Sequence, residues 1–195
     1  MSKRFALVLP LLAVAACAEP GGFPTGVDAT VVIKQAAGGN YGTHLKGDEE
    51  VPVRETNAQG QAIFRLSADG QSLYYKLIVA NIENVIMAHI HAAPAGVNGG
   101  IVLWLYGNCS APTTCVAFAS GGGRVNGVLA EGVVTSANLV GALAGTSLSD
   151  LVALIESQRA YVNVHTNDGV APTNTGPGDF PGGEVRGQLD TGHAH

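Results

Sequence analysis

Gln61-Ala-Ile-Phe-Arg-Leu-Ser-Ala-Asp69-Gly70-Gln71-Ser-Leu-Tyr-Tyr-Lys-Leu-Ile-Val-Ala-Asn81 is the stretch of sequence that most clearly indicates the fold. Two runs that alternate between apolar and polar residues flank its central Asp-Gly pair. An Asp-Gly pair in this setting is a strong signal for a β-hairpin, because both residues tolerate the backbone of a tight turn. The stretch therefore predicts two antiparallel strands, 61–68 and 72–81.

The same pattern extends over most of the chain. Short apolar runs are separated by Gly, Asn, Asp and Pro, the chain has 27 glycines, and only 13% of its residues are charged. This pattern is typical of an all-β sandwich or barrel. The predicted strands are 29–35, 43–47, 61–68, 72–81, 85–93, 100–107, 126–134, 160–166 and 184–189.

One segment has helical spacing instead. Apolar residues at 148, 151, 152 and 155 lie three and four positions apart, which places them on one face of a helix. Ser147 or Ser149 is suited to cap its amino end, and Asp150 lies near the positive end of the helix dipole. We predict a short helix over 149–158 that covers one end of the sandwich.

The first 17 residues have the pattern of an export signal. Lys3 and Arg4 precede about a dozen uncharged residues, too few to span a membrane, which takes roughly 20. Val14-Ala-Ala-Cys17 resembles the bacterial lipobox, whose cysteine receives a diacylglycerol and becomes the new amino terminus. The alternative is an ordinary signal peptide with a chance cysteine at its end.

This pattern predicts the domain organisation and the location of the protein. Residues 1–16 are a lipoprotein signal peptide, 17–28 a lipid-anchored flexible tether, 29–190 one β-sandwich domain, and 191–195 a carboxy-terminal tail. The lipid anchor implies a membrane partner and a location in the bacterial cell envelope, at the outer membrane facing the periplasm or the cell surface.

Charge argues against nucleic acid as a partner. Loss of Lys3 and Arg4 with the signal reduces the basic residues from 10 to 8, against 15 acidic ones. The mature chain would carry a net charge of 8 − 15 = −7, which repels a phosphate backbone.

Export also makes a disulfide possible. With Cys17 lipidated, Cys109 and Cys115 remain, and they pair without a leftover cysteine. We predict a disulfide that closes a small surface loop; the alternative is two free thiols.

Three ordered segments carry a resemblance to a known family. They are Gly47-Asp-Glu-Glu-Val-Pro-Val with Ala58-Gln-Gly-Gln-Ala, then Ala88-His-Ile-His-Ala-Ala-Pro-Ala-Gly-Val-Asn-Gly, and finally Ala160-Tyr-Val-Asn-Val-His-Thr with Pro181-Gly-Gly-Glu-Val-Arg-Gly-Gln-Leu. Together they resemble the CHRD domain, over about residues 30–190. The resemblance implies an immunoglobulin-like Greek-key β-sandwich or barrel with a remote similarity to the copper–zinc superoxide dismutase fold, and it implies no settled activity.

Strand alternation places a set of polar residues away from the core. Successive side chains of a strand point to opposite faces, so His89 and His91 lie opposite Ala88 and Ile90. The same rule separates a polar set from the valines of the last two predicted strands. The predicted polar sheet face comprises His89, His91, Asn163, His165, Glu184 and Arg186.

Three of these residues form a candidate metal site. His89 and His91 are about 6.5–7 Å apart along their strand, so both rings can reach one ion. His165 would complete a three-nitrogen set if strand 160–166 neighbours strand 85–93, and imidazole suits copper and zinc. The superoxide dismutases have a similar His-x-His strand, which by analogy makes these three residues the ligands. Binding should then weaken below about pH 6.5, the ordinary histidine pKa.

The alternative is that these histidines make structural hydrogen bonds to loop carbonyls. The acidic run Asp48-Glu49-Glu50 is expected to be a solvated turn. No catalytic triad, carboxylate pair or nucleophilic cysteine stands out, so the sequence favours a non-enzyme. We therefore predict a cell-envelope lipoprotein whose non-catalytic module serves binding or structural interaction with a protein or extracellular ligand. The alternative function is copper or zinc binding by His89, His91 and His165, in a remote relative of superoxide dismutase.

Overall fold

The computed structural model describes residues 38–191. The predicted signal peptide, Cys17, the tether and strand 29–35 lie outside these residues, as does the tail from 192 onward. The described chain contains strands Asn40–Lys46 (β1), Gln59–Leu66 (β2), Leu73–Glu83 (β3), Val85–Ala92 (β4), Gly100–Tyr106 (β5), Asn108–Ala111 (β6), Thr114–Val116 (β7), Arg124–Val134 (β8), Ala160–Thr166 (β9), Val185–Gln188 (β10) and Asp190–Thr191 (β11), and one α-helix, Leu148–Glu156 (α1).

The predicted hairpin is present as β2 and β3. The strands pair antiparallel from Gln59 opposite Ala80 to Leu66 opposite Leu73. At the turn, Gly70 has a φ of +69°, and the Asp69 carboxylate accepts hydrogen bonds from the Ser67 hydroxyl and the Gln71 N–H. Local turn chemistry and alternation therefore set this register, as the sequence predicted.

Nine strands form one strongly curved sheet. Their order is β5-β4-β9-β10-β1-β2-β3-β8, and β11 also pairs with β1. The two edges of the sheet approach each other, and the Tyr75 hydroxyl of β3 donates a hydrogen bond of 2.8 Å to the Leu105 carbonyl of β5. The sheet is thus a nearly closed barrel, which confirms the all-β prediction.

The interior is one apolar core formed by alternate residues of these strands. Leu45, Phe64, Leu77, Ile90 and Val162 have no solvent exposure. At about 25 cal/mol per Å² of buried apolar surface, this interior is the main source of stability.

The helix begins one residue earlier and ends two residues earlier than predicted. Its amino end has a capping box, in which the Ser147 N–H donates to the Asp150 carboxylate over 2.9 Å. Leu148, Leu151 and Ile155 are buried, so the predicted apolar stripe is the buried face. Among residues 38–191, no helix is long and apolar enough to cross a membrane.

The predicted disulfide joins Cys109 to Cys115. These cysteines lie opposite each other in a small second sheet made of β6 and β7, which the sequence analysis did not predict. The segment is mostly exposed, so it lacks the apolar alternation that reveals a half-buried strand.

Candidate metal centre

The candidate site lies on two neighbouring strands, β4 and β9. They pair antiparallel, with His89 opposite Asn163, His91 opposite Tyr161, and Met87 opposite His165. The condition that these strands be neighbours is therefore met.

The three histidines point away from the apolar core, as alternation predicted. Ala88, Ile90, Val162 and Val164 belong to the core, on the opposite face of the two strands. The polar face is nevertheless as deeply buried as the core: His89 is 0% exposed, His165 5% and His91 8%. Alternation predicts the face of a side chain, but it does not reveal what covers that face.

Loops cover this face, and the polar residues of the site hold them in place. Arg186 of β10 is 1% exposed and donates hydrogen bonds to the carbonyls of Pro94 and Val97 and to the Asn98 side chain. Glu184 accepts hydrogen bonds from the hydroxyls of Thr56 and Thr166 and from the Gly178 N–H. Two of the predicted polar residues thus anchor the loops that bury the histidines.

The three imidazoles converge. One ring nitrogen from each of His89, His91 and His165 lies within 4.8 Å of the others. The distance between His89 Nδ1 and His165 Nε2 is 3.2 Å. Two nitrogens bound tetrahedrally to one zinc ion, each at about 2.0–2.1 Å, are roughly 3.3 Å apart, so this spacing suits a shared ion.

Backbone carbonyls fix two of the rings. The Nδ1 atoms of His91 and His165 lie 2.9 Å from the carbonyl oxygens of Gly99 and Pro181. A carbonyl only accepts, so both rings carry their proton on Nδ1 and turn an unprotonated Nε2 inward. Metal-binding histidines are typically oriented by such an outer hydrogen bond.

Two ring nitrogens of the cluster lack hydrogen-bond partners. His165 Nε2 can accept a hydrogen bond from His89 Nδ1, which leaves His89 Nε2 as an acceptor. His89 Nε2 and His91 Nε2 are buried without a hydrogen-bond partner in the protein, and so is Asn163 Oδ1. Buried polar atoms are nearly always satisfied, so a group of unsatisfied ones in one place indicates a ligand site.

Aromatic rings frame the cluster. The ring of Tyr161 stacks on His91 with centroids 4.9 Å apart and an interplanar angle of 7°. Trp104 of β5 meets His89 at 89°, with centroids 4.1 Å apart. The Arg186 guanidinium lies 3.4 Å from the centroid of Tyr161 on the same face.

Burial keeps all three imidazoles neutral. Burial, with repulsion from the neighbouring histidines, lowers the pKa of His89 to about 2. Burial lowers the pKa of His165 to about 4, although the Pro181 carbonyl opposes the change, and burial also lowers the pKa of His91. Neutral imidazole is the metal-binding form, and it persists well below the pH of about 6.5 expected from the sequence.

Glu50 is a site residue that the sequence analysis assigned to a solvated turn. Asp48 and Glu49 are exposed as expected, but Glu50 is 4% exposed. Burial raises its pKa to about 7, against the opposing charges of Arg186 and Arg54. Its burial depends on the covering loops, and an acidic run of three residues gives no signal of that.

Comparison with known proteins gives the family. The family model of the CHRD domain matches residues 41–189, which span every element of the site. No curated protein and no solved structure matches the chain, so the similarity to superoxide dismutase stays a prediction. Since the family model covers most of the chain, the protein belongs to the CHRD domain family.

Proposed function

We propose that the domain binds one copper or zinc ion through His89, His91 and His165. The observation that carries this proposal is the convergence of three buried, neutral imidazoles on one point, with ring nitrogens that no protein group satisfies. Three histidines from neighbouring strands are a frequent ligand set for these metals.

The competing structural role explains only part of the geometry. Hydrogen bonds to the carbonyls of Gly99 and Pro181 do tie His91 and His165 to the covering loops. Such bonds use one nitrogen of each ring, and the His89–His165 contact pairs two more nitrogens, but a structural role leaves His89 Nε2 and His91 Nε2 buried and unsatisfied at a cost of about 1–3 kcal/mol each. A metal ion bound by the three rings would take His91 Nε2 as a ligand.

The proposal is binding, and it does not include turnover. A catalytic metal keeps a coordination position open to substrate, whereas these histidines lie under loops that Arg186 and Glu184 anchor. The function supported best is therefore a metal-binding or metal-stabilised module.

Elemental analysis tests the proposal. The full-length protein in detergent, carrying His193→Gln and His195→Gln to remove the histidines of the tail, is loaded with Zn(II) or copper and separated from excess ion. We expect one ion per chain, and its loss in His91→Gln and in His165→Gln, because each removes one of three ligands.

His44→Gln is the matched control, since His44 is exposed on β1 and remote in sequence from the cluster. It should keep the ion. The structural role would be established instead by two results together. The wild-type protein would retain no ion and keep the same melting temperature when metal is added, and His91→Gln would melt at a clearly lower temperature.

We also propose that this module is exported and lipid-anchored through Cys17 in the cell envelope. The sequence of residues 1–17 supports this, and the Cys109–Cys115 disulfide is consistent with an oxidising compartment. A protein or extracellular ligand as a further partner stays a prediction from the sequence.

A further inference from the structure

The histidine cluster contains no anionic ligand. Among the described residues, the group whose ligand atoms converge consists of His89, His91 and His165, without a carboxylate or a thiolate. Three neutral imidazoles leave the full charge of a bound ion uncompensated by its ligands. The charge must then be balanced by the surroundings or tolerated.

The surroundings provide no more than one surplus negative charge. Arg186 is fully buried beside the cluster, and Arg54 lies near Glu50 with its guanidinium over the ring of Phe180. Against these two cations stand the carboxylates of Glu184, Glu50 and Asp179, the last in the loop whose Pro181 carbonyl contacts His165. When all three carboxylates are ionised, they exceed the two cations by one charge, which balances a monocation and only half of the charge of a dication.

A buried site of this kind favours a singly charged ion. The cost of taking an ion out of water rises with the square of its charge, so it is about four times larger for a dication than for a monocation of the same size. Cu(I) is the one singly charged ion among the metals that imidazole binds well.

A soft donor lies next to the cluster. Met87 is on the same face of β4 as His89 and His91, and it is the direct cross-strand partner of His165. Side chains in such a pair have Cβ atoms about 4.5–5.5 Å apart. Met87 is only half-buried although the histidines beside it are buried. Thioether sulfur is a soft ligand of the kind that selects Cu(I).

We infer that the cluster takes copper as Cu(I) in preference to Zn(II), with the thioether of Met87 as a neighbouring soft donor. This inference rests on the proposed metal-binding function and specifies its ion. The ion is held by three imidazole nitrogens, and no change in its oxidation state is part of the proposal.

Competition titrations test the inference. The full-length protein, again with His193→Gln and His195→Gln, is titrated anaerobically with ascorbate against a chromophoric Cu(I) chelator, and separately against a chromophoric Zn(II) chelator. We expect Cu(I) to bind one per chain and at least about 100-fold more tightly than Zn(II), because of the charge on the buried ion. Met87→Leu, a swap of similar volume, should weaken Cu(I) binding about tenfold and leave Zn(II) unchanged.

The possible failures are distinguishable. Zn(II) binding as tight as Cu(I), lost in His91→Gln and His165→Gln, overturns the preference and leaves the proposed metal site intact. Equal Cu(I) affinity in the wild type and in Met87→Leu overturns the assignment of Met87. If neither ion binds, or if binding survives both histidine substitutions, the proposed function itself fails.

Discussion

Trp104 is the only tryptophan of the chain, and its ring touches His89. An ion bound to the three histidines would therefore lie close to the single indole fluorophore. We expect added copper to quench the tryptophan fluorescence, with saturation at one ion per chain. His165→Gln should lose this saturable quenching because it lacks one ligand, although it keeps Trp104 and His89. Quenching that rises linearly with the copper concentration, and equally in the wild type and in His165→Gln, would indicate that free copper quenches by collision.

The titration of buried groups predicts how stability depends on pH in the metal-free protein. His89 and His165 have folded pKa values of about 2 and 4, below the unfolded value of 6.5, so their contribution is complete above pH 6.5 and is lost as the pH falls. Glu50 acts in the opposite direction. Its folded pKa is raised to about 7 from 4.5, so its contribution is present below pH 4.5 and is lost as the pH rises to 7.

Three histidines act in one direction and one glutamate in the other, so we expect stability to fall as the pH is lowered from 6.5 to 4.5. Near pH 5.5 the unfolded chain binds about one to two more protons from these groups, which corresponds to roughly 1–3 kcal/mol per pH unit. Urea denaturation of the chelator-treated protein across this range measures the slope. His91→Gln should reduce it, and a slope of zero or of opposite sign contradicts the assignment of buried neutral imidazoles.

At the scale of elements, the β6–β7 hairpin is peripheral to the barrel and is closed by the Cys109–Cys115 disulfide. Closing so short a loop constrains the unfolded chain by about 2 kcal/mol. We expect the double variant Cys109→Ala and Cys115→Ala to lose at most this much while keeping its far-ultraviolet spectrum. Complete unfolding of the variant would show that the hairpin supports the core, and wild-type thiols that react with a thiol reagent would show that the bridge does not form in the native protein.

The pairing of β4 with β9 decides whether a site exists. Their register brings His89, His91 and His165 onto one face, and β10 adds Arg186 beside them. The loop after β4, 93–99, and the loop before β10, 167–184, lie over the polar face, where their carbonyls contact Arg186 and His165. The arrangement of these strands therefore provides both the ligands and the loops that bury them.

At the scale of the whole molecule, the proposed anchor at Cys17 predicts how the protein partitions. Several acyl chains contribute about 0.8 kcal/mol per buried methylene, enough for stable attachment. The wild-type protein should enter the detergent phase on phase separation, and Cys17→Ser should remain in the aqueous phase. Mass spectrometry that finds an unmodified cysteine at the mature amino terminus would refute the anchor.

Most of the barrel could be predicted because its signals are local. Alternation and turn residues located β2, β3, β4, β5 and β9 within a few residues, and apolar spacing located α1 within one or two. The β6–β7 hairpin escaped prediction because exposed strands show no alternation.

The sequence by itself determined the all-β class, the family, and the faces on which the histidines lie, because side-chain alternation is a property of each strand alone. Tertiary structure decided that the polar face is buried, that His89 and His165 approach to 3.2 Å, and that Glu50 is a buried carboxyl. These facts depend on strand order and on loops that return across the sheet, which join residues more than 70 positions apart in the chain. The neutral imidazoles follow from the same burial, since desolvation is a property of the assembled fold and of no single segment.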